Sequence, residues 1–332
     1  MKICIVGASG LLGEGFQHIS KDTENEFVFC YAKNKIPNAE QLDITREDAI
    51  KNFFQIHKPD VLINCSAIAD LEFCEKNKSH AFNVNTLGAK KLAQVCNTYD
   101  SHLIHVSTDY VFDGKSGPYQ ENDTPKPISY YGQTKYQSEE LVLKENEKFC
   151  VVRTGVLYGW CQNRQNLGTM IISELRNNKQ VKLINDQQVS PSYTDNVAEM
   201  MLELAQMKIS GVFNVTNSSI MTRYDFGMLL SEIFGLNKSL IKPISAEDFH
   251  WKVPRPHKGG LLILAGRTPH GSEVNRSDIV RWSMDLRWND ANMPSGRPMP
   301  GFIAKSATRE LTGYNEWDND WKECLADKTP RK

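Results

Sequence analysis

The opening residues restrict the fold more than any other feature of this 332-residue chain. They read MKICIVGASGLLG, an apolar run ending at Gly7, then Gly10 and Gly13 where a helical pattern opens. A short continuous apolar run is the mark of a strand buried on both faces, and a strand that turns at once into a helix begins a βαβ unit. Glycines at the turn allow a tight bend and close backbone approach. The N–H groups of the helix start, around Leu11 and Leu12, offer partial positive charge. A dinucleotide pyrophosphate requires that combination, which makes Gly7, Gly10, Leu11, Leu12 and Gly13 candidate cofactor-binding residues. An ordinary glycine-rich turn is the rival reading, and its placement between strand and helix argues against it.

The rhythm continues. Residues 2–7, 27–32, 60–66, 102–107 and 149–155 read as buried parallel strands. Helical patterns lie between them: one entered at Thr45 through the capping-box sequence TRED, one over roughly 71–99, and one from Ser129 to Glu147. Such alternation predicts an α/β fold, a doubly wound parallel sheet over residues 1–160, with helices and a strand from later residues left open to join it. From 161 to 256 the pattern loosens into helices near 167–178, 195–207 and 223–234 with short strands at QVKLIND and GVFNVTN, a smaller lobe expected to cover the substrate. Net charge is −1, so no electrostatic field favours nucleic acid or an anionic membrane, and no apolar run is long enough to span a bilayer. Eight cysteines without a CxxC pair are expected to be reduced and buried, which points to a cytoplasmic protein.

The chemistry is expected at the strand ends. After the second strand, Lys33 and Lys35 suit the extra phosphate of NADPH, or are solvated surface residues. Asp43 and Ile44 either flank the adenine or mark a helix entry before Thr45. Ser107 and Thr108 close the fourth strand, where open α/β sheets bind ligands. Tyr131 and Lys135, four residues apart near a helix start, share one helix face. An ammonium beside the phenol would lower the tyrosine pKa, so that Tyr131 exchanges a proton with a substrate oxygen near neutral pH.

With GASGLLG, QLDIT, LINCSAIADLEFCEKN, AFNVNTLGAKKLA, HVSTDYVFDG, PYQENDTPKPISYYGQTKYQSEE, VVRTGVLYG and DQQVSPSYTDNVA in view, residues 1–256 resemble the extended short-chain dehydrogenase/reductase superfamily, with its Rossmann-like fold. Within it they resemble the dTDP-4-dehydrorhamnose reductase family. The resemblance implies a catalytic triad of Thr108, Tyr131 and Lys135. It further implies Cys65, Ser66 and Ala67 beside the nicotinamide, a supporting role for Asn85, and NADPH or NADH as cofactor. The implied reaction is reduction of the C4 ketone of a nucleotide-linked 6-deoxyhexose, with a homodimer left open. CSAIAD departs from the family's alanine-rich, threonine-bearing run, and Asn214 stands where a histidine is common; both bear on which sugar is taken. A non-catalytic dinucleotide-binding subunit, like the related beta subunit of methionine adenosyltransferase, is the rival.

The composition breaks near residue 256. Before it stand 21 Lys and 6 Arg, after it 5 Lys and 7 Arg, and of six tryptophans only Trp160 precedes position 251. Residues 257–332, with PHGSEVNRSDIVRWSMDLRW, resemble the C-terminal end of phytanoyl-CoA-dioxygenase-like proteins, which implies His270 as an iron ligand and Arg281 as a 2-oxoglutarate clamp. Alternation of Trp282, Met284, Leu286 and Trp288 with polar residues suits strand structure. A facial-triad iron site needs two histidines and a carboxylate, and none of the eight histidines is followed two positions later by Asp or Glu. No metal site is expected, only a two-stranded, tryptophan-rich appendage that interrupts the substrate lobe and could impair turnover.

Overall fold

The computed structural model describes residues 1–162 and 164–258, together with the backbone of two short strands, Val280–Trp282 and Leu286–Trp288. Met1–Leu264 and Ala265–Lys332 are separate compact units.

The first unit opens with β1 (Lys2–Val6), α1 (Leu11–Ile19), β2 (Glu26–Tyr31), β3 (Ala39–Gln41), α2 (Glu47–His57) and β4 (Val61–Asn64). Next come α3 (Leu71–Lys76), α4 (Lys78–Phe82), a π-helical stretch Asn83–Gly88 and α5 (Ala89–Thr98). β5 (His102–Thr108), α6 (Tyr130–Glu145) and β6 (Cys150–Thr154) complete the first half. The remainder runs β7 (Leu157–Tyr158), α7 (Leu167–Arg176), β8 (Val181–Ile184), β9 (Gln188–Val189), β10 (Ser192–Tyr193) and α8 (Thr194–Met207). It ends with β11 (Gly211–Asn214), β12 (Met221–Thr222), α9 (Arg223–Ile233) and β13 (Ile241–Ile244).

Seven strands form one parallel sheet in the order β11-β6-β5-β4-β1-β2-β3. This is the doubly wound, Rossmann-like arrangement, with its switch point between β1 and β4. Both faces are covered, as a parallel sheet requires. Ile3, Ile5, Ile63, Ile104 and Val152 pack with Phe16 of α1 and Met201 and Leu204 of α8 on one side. Cys4, Leu62, Leu103 and Val151 pack with Phe54 of α2, Leu92 of α5 and Val142 of α6 on the other.

Two local expectations are corrected. The helix expected over 71–99 is cut at Asn77 and winds as a π-helix over 83–88. The TRED capping box does not form: α2 starts at Glu47 with Arg46 as its uncapped N-cap. Thr45 instead turns its N–H and hydroxyl to Asp43 Oδ1 at 2.9 and 2.7 Å, a local side-chain turn that competes with helix capping. GVFNVTN, read as part of the smaller lobe, supplies β11 at the sheet edge.

Outside the sheet, β8 and β13 pair in parallel under α7 and α9, with Ile171, Leu175, Leu183, Phe226 and Leu230 between them. Residues 257–258, placed by composition with the tail, are stitched into this unit. Gln188 N–H donates to the His257 carbonyl at 2.7 Å, and Lys258 N–H to the Gly114 carbonyl at 2.8 Å. In the second unit, β14 (Val280–Trp282) and β15 (Leu286–Trp288) pair antiparallel with Arg281 opposite Arg287. The alternating run is thus divided between two strands. His270 and the side chain of Arg281 lie outside the described residues.

Candidate active site

The carboxyl ends of β1, β4 and β5 meet at the switch point. Gly7 leaves β1 at φ +84°, a conformation open to glycine, and a Cβ there would stand 2.7 Å from Ser66 N. At Gly13 a Cβ would come within 2.5 Å of Ala8 Cα, so the helix start presses directly on the turn. Gly10 caps α1 without a side chain, leaving the first N–H groups of the helix free of any cap. This cradle fits a pyrophosphate. Leu12, also a candidate, is a core side chain beneath the sheet, so only its backbone can serve a ligand, whereas Leu11 is half-buried.

Ser66 N–H and Oγ–H both donate to Asn64 Oδ1, at 3.1 and 2.5 Å, which shapes the loop 65–67 after β4. Burial pushes the Cys65 thiol up to about 12, against the pull of the Lys135 charge, so Cys65 is an inert thiol lining the site. Asn85 holds the same loop from outside: Oδ1 accepts the Ile68 N–H at 2.8 Å, while Nδ2 donates to the Ile68 carbonyl at 3.0 Å and to Thr134 Oγ1 at 3.1 Å. Its role is to clamp the loop to α6. Asp43 and Ile44 lie in the loop between β3 and α2. Although burial raises it, the bonds from Thr45 hold the Asp43 carboxyl below its ordinary range. Ile44 is buried against α5. Lys33 and Lys35 are exposed.

The chemical groups come from β5 and α6. Ser129 caps α6 by accepting the Gly132 N–H at 3.2 Å. The helix then buries Tyr131, Thr134, Lys135, Ser138 and Glu139 along one side, a polar face at helical spacing. Thr108 Oγ1 donates to Asp109 Oδ1 at 3.1 Å, accepts the Tyr110 N–H at 3.2 Å, and lies in hydrogen-bond reach of the Tyr131 phenol. Thr108 and Tyr131 are therefore brought together as expected. Lys135, by contrast, places Nζ 3.2 Å from His105 Nε2. The expected lowering of the Tyr131 pKa is overturned: burial drives it well above its ordinary value, and the Thr108 hydroxyl only partly opposes this. Burial likewise brings Lys135 down to about 8, against the carboxylate of Glu139 and Cys65.

Ser107 was placed at the strand end by the sequence, but its partner, and the parts played by His105, Glu139, Arg153 and Asp109, were not legible there. His105 and Ser107 alternate on the face of β5 turned to α6: His105 Nε2 lies 2.8 Å from Ser138 Oγ, and Ser107 Oγ donates to Glu139. Glu139 in turn pairs in the interior with Arg153 of β6, at 2.7 Å from Nη2. Asp109 is fully buried, and burial pushes its carboxyl up to about 7 despite Thr108 and Arg223. The available signal was polar residues at strand period facing polar residues at helix period. Among the described residues no cluster of His, Cys, Asp and Glu could hold a metal ion, and no helix is long and apolar enough to cross a membrane.

Residues 1–272 match the model of the RmlD substrate binding domain. The chain belongs to that family. The match runs 16 residues past the composition break at 256, since 272 − 256 = 16. Among this family member's relatives is methionine adenosyltransferase 2 subunit beta of Xenopus laevis, 32% identical, with 86% of this chain and 89% of the relative aligned. The structure of a dTDP-4-dehydrorhamnose reductase from Clostridium acetobutylicum is 32% identical and superposes with TM-score 0.71, over 79% of this chain and 90% of that one. That of the Bacillus anthracis dTDP-4-dehydrorhamnose reductase in complex with NADP is 26% identical, TM-score 0.71, over 79% and 89%.

Proposed function

We propose that this RmlD-family chain is an NAD(P)H-dependent oxidoreductase that reduces the 4-keto group of a nucleotide-linked 6-deoxyhexose. The observation that carries the reading is the meeting of Thr108 and Tyr131 at the end of β5, one helical turn from Lys135 and two strands from the glycine turn after β1 in the parallel sheet. Gly7, Gly10 and Gly13 would hold the pyrophosphate, and Cys65, Ser66 and Ala67 would border the nicotinamide. The cofactor supplies the hydride.

Thr108 is equipped to orient the carbonyl. Its hydroxyl accepts the Tyr110 N–H and gives its one proton to the Asp109 carboxyl, so it would hold the substrate oxygen by turning that proton away from Asp109. Tyr131 keeps its proton at neutral pH, because burial disfavours the phenolate. It is thereby poised to donate to an alkoxide, a far stronger base, as charge builds on the substrate oxygen. A charged Lys135 turned toward Tyr131 would then stabilise the phenolate left behind. Asn85 keeps the loop 65–70 in register with α6 during these events.

The Xenopus relative favours one other reading, a dinucleotide-binding subunit of another enzyme. Intact Thr108, Tyr131 and Lys135 weigh against it, since a regulator has no use for a proton donor. For residues 257–332 we propose no second active site, because the His-x-Asp/Glu pair of an iron oxygenase is missing from the whole chain.

One assay separates the readings: oxidation of NADPH and NADH by the full chain with a panel of nucleotide-linked 4-keto-6-deoxyhexoses. Turnover is expected with at least one sugar, and Tyr131→Phe should lower kcat by about 10²–10⁴-fold while dinucleotide binding persists. Full activity in the Phe variant would sink the mechanism. Dinucleotide binding without turnover across the panel would favour the subunit reading.

A further inference from the structure

The polar network beneath Lys135 can be solved proton by proton. Ser66 N–H can only donate, so the Asn64 amide atom that receives it at 3.1 Å is Oδ1. The other amide atom is the NH₂, and it lies 3.1 Å from His105 Nδ1. Nδ1 must therefore accept and carries no proton. His105 is wholly buried, and burial together with the nearby Lys135 charge holds it neutral. Its one proton is on Nε2. Two atoms face that nitrogen, Ser138 Oγ at 2.8 Å and Lys135 Nζ at 3.2 Å. The Ser138 hydroxyl gives its own proton to the Lys135 carbonyl at 2.6 Å, so it is free to accept from Nε2–H.

Lys135 Nζ thus faces a donor. An ammonium has no lone pair, so in that position two N–H groups oppose each other. A neutral amine can accept. We infer that His105 is a positioning residue for Lys135: its Nε2–H receives the lysine only as the neutral amine and turns the charged lysine away from β5, toward Tyr131. Other groups also act on Lys135. Glu139 on its own helix and Cys65 after β4 favour the charged form, and burial opposes it. Glu139 is largely engaged elsewhere, by Arg153 and Ser107, which leaves His105 a deciding influence on where Nζ rests. Ser138 moderates it by taking a share of the Nε2 proton. The tautomer stands on geometry alone; its value for catalysis rests on the reductase reading above.

The test is nuclear magnetic resonance on the full chain labelled at histidine and lysine nitrogens, without substrate. His105 is expected to show a protonated Nε2 and a bare Nδ1, unchanged from about pH 5.5 to 9. The Lys135 titration, assigned with Lys135→Arg, should move in opposite directions in two variants. His105→Leu removes the opposing donor and raises the midpoint; Ser138→Ala releases the whole Nε2 proton to Nζ and lowers it. Each shift should be about half a pH unit or more, roughly a threefold change in the protonation equilibrium. A general loss of packing would move both the same way. A protonated Nδ1, or shifts that are absent or share a sign, overturns the inference. Should His105→Leu fail to fold, the native tautomer and Ser138→Ala still decide. Failure here with an intact Tyr131→Phe effect defeats only this inference, and the reverse defeats only the proposed reaction.

Discussion

Gly7 shows how one residue can carry both fold and site. At φ +84° a side chain costs about 1–2 kcal/mol in backbone strain, and here its Cβ would also overlap the Ser66 backbone. Gly7→Ala is expected to destabilise the chain by about 2–4 kcal/mol in urea titration and to weaken dinucleotide binding at least about tenfold. A wild-type urea midpoint and unchanged affinity would show that the turn is looser than its geometry. Glycine spacing was legible in the sequence because backbone freedom is a property of the residue itself. The protonation of Tyr131 was not. The Tyr-x-x-x-Lys spacing correctly places both side chains on one helix face, but it says nothing of burial. Burial raises the phenol, and His105, thirty residues before Lys135 in the chain, is what Nζ touches. Long-range partners of this kind carry no local signature.

At the scale of elements, buried strands were easy to read, since runs such as DVLINC and FCVVR have no solvent face to alternate with. The stretch 71–99 was harder, because a π-helical turn keeps a nearly helical apolar pattern while shifting its register. That turn carries Asn85, which satisfies both backbone groups of Ile68 and reaches Thr134. Asn85→Ala leaves the Ile68 N–H without its partner and the Ile68 carbonyl with only the weak Cys74 thiol, and should cost about 1–3 kcal/mol in chemical denaturation. It should also raise KM for dinucleotide through the loosened loop, and an unchanged stability would deny the clamp. The end of the first unit was misplaced for a similar reason: composition changes at 256, but hydrogen bonds from Gln188 and Lys258 continue the structure past it. A chain ending at Leu264 should therefore melt higher than one ending at Pro256. Equal midpoints would mean that the 257–258 bonds contribute nothing.

Across the whole first unit, the sheet holds the site and the helices on the opposite face from α6 hold the sheet. Helices α1 and α8 pack side by side there, although about 175 residues separate them in the chain. Besides apolar contact, they are joined by His18 Nδ1 and Asp195 Oδ1 at 3.2 Å, and Tyr193 O–H donates to Asp195 Oδ2 at 3.3 Å. Because Gly10 is the N-cap of α1, a joint that steadies this helix also steadies the proposed pyrophosphate cradle. The joint depends on pH. The hydrogen bond to Asp195 raises the His18 pKa above its ordinary value, against the opposing effect of burial. A folded-state pKa above the unfolded one means the folded chain binds the proton more tightly. The contribution is thus complete below about pH 6.5, the unfolded value, and disappears as pH rises through the folded value. His18 is partly open to solvent, which limits the contribution to below about 1 kcal/mol. His18→Gln should therefore melt below the wild type near pH 5.5 and match it by about pH 8.5. A gap that stayed constant across that range would assign the joint to packing, and one that widened with pH would reverse the sign argued here.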